Sequence, residues 1–333
     1  MPRSFTIGEA VIVAELCAVL FHVMTFSVVL DVAPLLVLTS KLRKIIAIGL
    51  FAAVGITAAN LLLARVLKAE RAGFRLYDHR GWCHLALTVA SIIFMLEWMS
   101  YSIGENSLQW LWTYISSHTA TPLKFVVYYL LVLVPALSLA PSGGSDARHR
   151  ILVRKYFHVL ALVMFVPTIV INIRFMALAF AVALAVFMVM ESLRIANVPF
   201  VVAFMNPFMR RYIDDRDAGV AVLTHIYLLT GCALPVFFTY FVLRGIFSAS
   251  GLLIALSGVA VTGLGDAMAS YFGIHFGRRR WSGSKKTMEG TTAMVLGVLV
   301  FQAASLLAVG FHNLSAASWA RLALADLLVS LLE

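Results

Sequence analysis

The stretch "GLGDAMASYFGIHFGRRRWSGSKKTMEGTTAMV", residues 263–295, joins two long apolar runs. One acid, Asp266, stands near the end of the first run, and a second, Glu289, opens the next. Between them come Arg278, Arg279, Arg280, Lys285 and Lys286, interleaved with glycines. Helical spacing puts Asp266, Ser270, Gly273 and Gly277 on one face, within about 60° of each other. A small-residue packing face explains the glycines alone. Close backbone approach to a ligand explains the glycines and the acid together, and is the expectation. The stretch is not a P-loop, because Ser284 separates Gly283 from Lys285 and no strand precedes it. The physics is similar all the same: a glycine-containing loop, lysines for phosphate charge, and a helix start at Thr287–Gly290 whose free N–H groups suit an anion. Trp281 suits base stacking or an interfacial anchor equally.

The rest of the chain explains why such a loop sits between apolar runs. Of 333 residues, 62% are hydrophobic and 13% charged, with a mean hydropathy of +0.94. Soluble domains are nearer half apolar and a quarter charged. The expected fold is therefore all-α, a polytopic integral membrane protein of about nine transmembrane helices. A span needs about 20 apolar residues, which places spans near 7–30, 45–67, 82–103, 123–140, 156–173, 174–190, 221–243, 251–272 and 290–311. The segment 319–332 is apolar but short for a span. No soluble domain fits between these, so chemistry must sit in loops, at helix ends or inside the bundle. Cys17, Cys83 and Cys232 lie in apolar runs without a C-x-x-C partner, and are expected as buried small hydrophobes rather than a disulfide framework or zinc site.

The net charge of +10 is not spread evenly. Residues 141–155 carry Arg148, Arg150, Arg154 and Lys155; 191–220 carry Arg194, Arg210, Arg211 and Arg216; 273–289 carry the five bases named above. The alternate connections carry one each: Arg174, Arg244 and Arg321. That alternation places the three rich connections on the cytoplasmic side. The first part is less regular, since "SKLRK" (40–44) and "KAERAGFRLYDHR" (68–80) are both basic around one span, and its topology stays open. The linker-like "PSGGSDARHR" (141–150) divides the chain into an N-terminal membrane region, 1–140, and a C-terminal core, 141–333.

Acids gather where the bases do. Asp214, Asp215 and Asp217 lie in the second cytoplasmic connection, Asp266 and Glu289 flank the third, and His158 follows Arg154 by one turn at the first. Carboxylates near lipid are costly and mark sites. Carboxylates mixed with lysines suit a metal–phosphate complex, with oxygen ligands on Mg²⁺ and Lys or Arg on the phosphate. Glu97, inside an apolar span, is expected to have a partner in the bundle.

Three segments resemble one family in order and spacing: "RKYFHVLALVMFVP" (154–167), "DDRDAGVAVLTHIYLLTGCALP" (214–235) and "GLGDAMASYFGIHFGRRRWSGSKKTMEGT" (263–291). They are similar to dolichol kinase across about 151–333, and the 214–235 segment separates it from phytol kinase and CDP-diacylglycerol synthase relatives. The resemblance implies a multi-pass protein of the endoplasmic reticulum membrane with its active face cytoplasmic. It implies transfer of the γ-phosphate of CTP to dolichol, with a divalent metal such as Mg²⁺, giving dolichyl phosphate for protein glycosylation. It places the nucleotide around the loop at 273–290. It also implies a continuation beyond Glu333 to an Asp-Asn pair. No nucleic-acid partner is expected.

On that basis Asp266 and Glu289 are the expected metal ligands. Lys285 and Lys286, with Arg279 or Arg280, are expected on the phosphates, in a loop shaped by Gly277, Gly283, Thr287 and Gly290. Arg154, Lys155 and His158 are expected to line the same face. Asp214 or Asp217 is expected to orient or deprotonate the dolichol hydroxyl, with His158 as the other candidate base. The alternatives are a CDP-lipid synthase, a kinase of another polyprenol or phytol, and a transporter of an anionic metabolite.

Overall fold

The computed structural model describes residues 40–69, 79–116, 121–139, 147–210, 221–282, 286–311 and 316–332. The protein is an all-α polytopic membrane protein, as expected where lipid forces every backbone group to find its partner within a helix. The helices are α1 (Lys41–Ala69), α2 (His79–Ile103), α3 (Ser107–Ser116), α4 (Thr121–Leu139), α5 (Ala147–Ile171), α6 (Ile173–Ile195), α7 (Pro199–Arg210), α8 (Thr224–Phe241), α9 (Ala249–Gly258), α10 (Asp266–Phe276), α11 (Met288–Val309) and α12 (Ala316–Leu332). A π-helical segment, Val259–Gly265, joins α9 to α10 without a break.

Among the described residues, six runs are long and apolar enough to cross a membrane: Lys41–Leu67, Gly81–Ile103, Thr121–Ser138, Ile173–Ile195, Ala249–Phe276 and Met288–Val309. The spans expected at 156–173 and 221–243 are the shorter apolar helices Lys155–Ile171 and His225–Phe241. The ninth, 7–30, lies outside the described residues. The continuous α1 shows that the basic segments at 40–44 and 68–80 flank one long apolar helix. Two short helices, α3 and α7, occupy stretches with no expected element.

The chain forms two compact units, Met1–Leu123 with Leu178–Leu229, and Lys124–Ala177 with Thr230–Glu333. Within the second unit α4 is fastened to α5 and to the start of α6. Tyr129 Oη donates to Thr168 Oγ1 at 2.8 Å, Tyr156 Oη donates to the Ala136 carbonyl at 3.0 Å, and Phe125 stacks on Phe175 at 6.0 Å.

In the first unit α1 and α2 form a hairpin. Its open end is held by the Lys41–Glu105 ion pair and by Lys44 Nζ donating to the Ser102 carbonyl at 3.0 Å. Deeper in the hairpin Asn60 is fully buried, donates to Thr88 Oγ1 at 2.9 Å and meets His84 Nδ1 at 3.0 Å through its carbonyl oxygen. That oxygen accepts only, so His84 carries its proton on Nδ1. Asn60→Leu is expected to lower stability by about 1–2 kcal/mol, read as the thermal midpoint in detergent, because it strands two buried polar groups. Glu97 is exposed on α2, and the expected partner is not found among the described residues. Cys83 is likewise exposed, whereas Cys232 is buried, and both are free thiols.

Also in this unit, Glu191 is 3% exposed near the end of α6. Its carboxylate accepts from Arg194 Nε at 2.8 Å and Nη2 at 2.6 Å, and from the backbone N–H of Val222 at 2.6 Å. The third bond reaches across to the residues that lead into α8.

In the second unit the helices approach most closely at glycines. A Cβ on Gly258 would fall on the Gly231 carbonyl oxygen and 2.9 Å from Cys232 Cα, so α8 and α9 touch backbone to backbone. Thr262 in the π segment donates to the Gly258 carbonyl at 2.6 Å and lies 3.3 Å from Cys232 Sγ. Gly258→Ala is expected to cost about 2–3 kcal/mol, since neither backbone can yield as a side chain would; a thermal midpoint within error of wild type would contradict this contact.

Candidate active site

Asp266 is the first residue of α10, and its N–H bonds to the Val261 carbonyl five residues back, closing the π segment. Such segments are rare and concentrate at functional sites. The segment lies flush on α5: a Cβ on Gly263 would sit 3.2 Å from Leu162 Cγ and 3.4 Å from the His158 carbonyl oxygen. That contact brings Asp266 to two α5 side chains one turn apart. Lys155 Nζ pairs with Asp266 Oδ2, and His158 Nδ1 lies 2.9 Å from the same oxygen. All three side chains are largely shielded, with 19%, 14% and 28% exposure for Lys155, His158 and Asp266. Asp266 Oδ1 has no hydrogen-bond partner among the described residues.

The basic loop forms a short ribbon. Arg280 and Thr287 make an antiparallel bridge, Trp281 N–H donates to the Lys286 carbonyl at 3.1 Å, and Met288 N–H donates to the Arg279 carbonyl at 2.8 Å. Glu289 latches it, both carboxylate oxygens accepting from the Arg279 N–H at 3.1 and 3.2 Å. Thr287 caps α11 by accepting from the Gly290 N–H at 3.2 Å. Trp281 Nε1 donates to Thr291 Oγ1 at 3.0 Å, which ties the indole to the helix start. Arg278, Arg279, Arg280 and Lys286 are exposed. Lys285 and Gly283 lie outside the described residues, as do Asp214, Asp215 and Asp217 and the Arg154 side chain.

The glycine face has a different occupant from the one expected. A Cβ on Gly277 would lie 2.6 Å from Thr287 Cγ2, and one on Gly290 would lie 2.7 Å from the Ala269 carbonyl oxygen and 3.3 Å from Gly273 Cα. Gly273, Gly277 and Gly290 therefore seat α10 against α11, which is the packing reading.

The same seam separates the two acids expected to share a metal. Gly273 meets Gly290 and Met268 meets Gly297, so the helices run antiparallel. Asp266 lies seven residues before Gly273, about 10 Å along the axis from the level of Glu289. The Asp266 carboxylate turns to α5 and the Glu289 carboxylate to Arg279. No grouping of three or more His, Cys, Asp or Glu able to hold an ion occurs among the described residues. The set fits a cation brought in on phosphate, with Asp266 Oδ1 as one protein contact, better than an all-protein cage.

A model of the dolichol kinase family matches residues 1–261. The chain belongs to that family. Similar curated proteins are dolichol kinase EVAN of Arabidopsis thaliana, 32% identical over 65% of this chain and 37% of its own length, and dolichol kinase of Homo sapiens, 31% identical over 65% and 42%. Dolichol kinase of Saccharomyces cerevisiae is 30% identical over 58% of this chain and 34% of its own. The chain thus spans well under half the length of these dolichol kinases. The family match takes in Lys155, His158, Glu191 and the 214–235 segment, and also the N-terminal part that the sequence resemblance at 151–333 left aside. No solved structure matches the chain.

Proposed function

We propose that this protein transfers the γ-phosphoryl group of CTP to the hydroxyl of dolichol, giving dolichyl phosphate for protein glycosylation. The observation that carries the reading is the convergence of Lys155 and His158 on one carboxylate oxygen of Asp266, on the same helix, α10, that leads into a basic ribbon at the N-terminus of α11. Phosphoryl transfer asks for positioning and charge neutralisation more than covalent chemistry, and these groups supply both.

In this reading the exposed arginines of the ribbon and Lys286, with Lys285 beside it, hold the phosphate oxygens, and the N–H groups at the start of α11 add their dipole. Lys155 moves between Asp266 and the transferring phosphoryl group, neutralising whichever carries more charge. His158, aligned through Nδ1 by Asp266, takes the proton of the dolichol hydroxyl on Nε2 as that oxygen bonds to the γ-phosphorus and the bond to the β-phosphate oxygen breaks, releasing CDP. Asp214 or Asp217 is the other candidate for orienting the hydroxyl. A divalent cation carried on the nucleotide and contacted by Asp266 would neutralise charge on the phosphates. Glu289 acts by holding the ribbon closed. The alternation of basic connections supports a cytoplasmic position for this face, and a dolichol substrate is in keeping with the endoplasmic reticulum membrane.

The test is to supply purified protein with γ-labelled CTP, Mg²⁺ and dolichol. Label in the lipid with release of CDP is expected. Pyrophosphate release instead would show a CDP-lipid synthase, and absence of label from the lipid would rule out the kinase.

A further inference from the structure

The last two helices, α11 and α12, pack on one another and meet through two buried polar side chains. Gln302 and Asp326 are each 8% exposed, and Gln302 Nε2 donates to Asp326 Oδ1 at 3.1 Å. The other oxygen of each group, Gln302 Oε1 and Asp326 Oδ2, is buried without a partner among the described residues. Both are acceptors when the acid is ionised, so neither can satisfy the other. Two stranded acceptors on one buried pair of side chains are costly.

One proton resolves both. Placed on Asp326 Oδ2, it turns that oxygen into a donor toward the amide carbonyl and completes a reciprocal acid–amide pair. A proton also needs no cavity, which matters where both groups are over nine-tenths buried. Among the described residues no cation pairs with Asp326. Of the elements that also pack on α11, α9 and the π segment carry no charge, and α10 carries Tyr271, His275 and Asp266, the last paired with Lys155 and His158. Apart from Asp326, the described charges on the two helices are Glu289, at the far end of α11 and about 20 Å from Gln302 along the axis, and Arg321, exposed and about 140° around α12. Burial raises the Asp326 carboxyl above its usual range, against the smaller opposing pull of the Gln302 amide.

We propose that Asp326 is a proton-binding site, holding a proton in the folded protein and forming with Gln302 a closed acid–amide pair that seats α12 on α11. The pair lies apart from the site assigned to phosphoryl transfer and does not depend on that assignment. The sign of the linkage follows. The folded state keeps a proton that the unfolded chain releases above the ordinary Asp range, so stability falls as pH rises, by up to about tenfold in the folding equilibrium per pH unit, until Asp326 itself ionises.

Infrared spectra of the full chain carrying carboxyl-¹³C aspartate are the direct test. A protonated-carboxyl C=O band that shifts with the label and is lost in Asp326→Asn is expected. Asn can keep the reciprocal pairing as an amide–amide pair, so Asp326→Asn should fold, and its thermal midpoint should lose the decline with rising pH that wild type shows. If that variant does not fold, Gln302→Met decides: the acid band should remain and move to higher frequency as its carbonyl loses the amide donor. Absence of an aspartic acid band in wild type overturns the proposal, as do parallel pH curves for wild type and a folded Asp326→Asn.

Discussion

Asp266→Asn is expected to lower phosphoryl transfer on the order of 10³-fold or more while the protein stays folded. The substitution keeps the shape of the side chain and removes its charge. Oδ2 is the common partner of Lys155 and His158, so one change releases both. In the proposed mechanism Lys155 loses its alternate resting place, and His158 loses the carboxylate that lies 2.9 Å from its Nδ1. The folded state should lose far less, about 1–2 kcal/mol, since an amide of the same shape takes the place of the carboxylate and no cavity opens. The fall should therefore appear in kcat at saturating CTP, with the thermal midpoint close to wild type. A variant with full activity would remove Asp266 from the site. Lys155→Ala is the useful comparison, because it should weaken phosphate binding while leaving the Asp266–His158 pair.

Glu191→Ala is expected to be the most damaging substitution for stability, by about 3–5 kcal/mol. The carboxylate is 3% exposed and accepts three hydrogen bonds, two from the Arg194 guanidinium and one from the Val222 backbone. Its loss leaves a shielded guanidinium without its counter-charge and a buried N–H without an acceptor. Glu191→Gln, which keeps an acceptor for Val222, should recover part of the loss. Equal midpoints for wild type and Glu191→Ala, measured by thermal unfolding in detergent, would remove this clamp from the account of the first unit.

The apolar runs were legible because their signal is length, and length survives any packing arrangement. The small helices α3 and α7 were not, being too short to register as spans. For the site, the residue types at 154–158 and 263–291 pointed to Lys155, His158 and Asp266 one by one. Their meeting on one oxygen depends on α5 packing against the π segment, which spacing along a chain does not encode. Periodicity also placed Gly273 and Gly277 on one face correctly but could not say what covers that face, and Thr287 and Gly290 cover it. Glu289 was read by residue type as a metal ligand, whereas the turn of the ribbon brings its carboxylate to Arg279. Glu191 was passed over as an acid at a helix end. The i,i+3 pairing in "ESLR" (191–194) was a readable sign of the Arg194 contact, but nothing local announces the bond to Val222.

The π-helical segment also sets a rule for insertions and deletions. The part of the helix before it is keyed to α8 through Gly258, and the part after it is keyed to α11 through Gly273. Those two keys fit together only at one rotational offset. Removing a single residue from 259–265 would turn everything beyond it by about 100°, swinging Gly273 out of its seam and Asp266 away from Lys155 in the same motion. A one-residue deletion here is thus a change of phase for half the helix, while the same deletion in the loop before α9 shortens a tether and leaves both keys engaged.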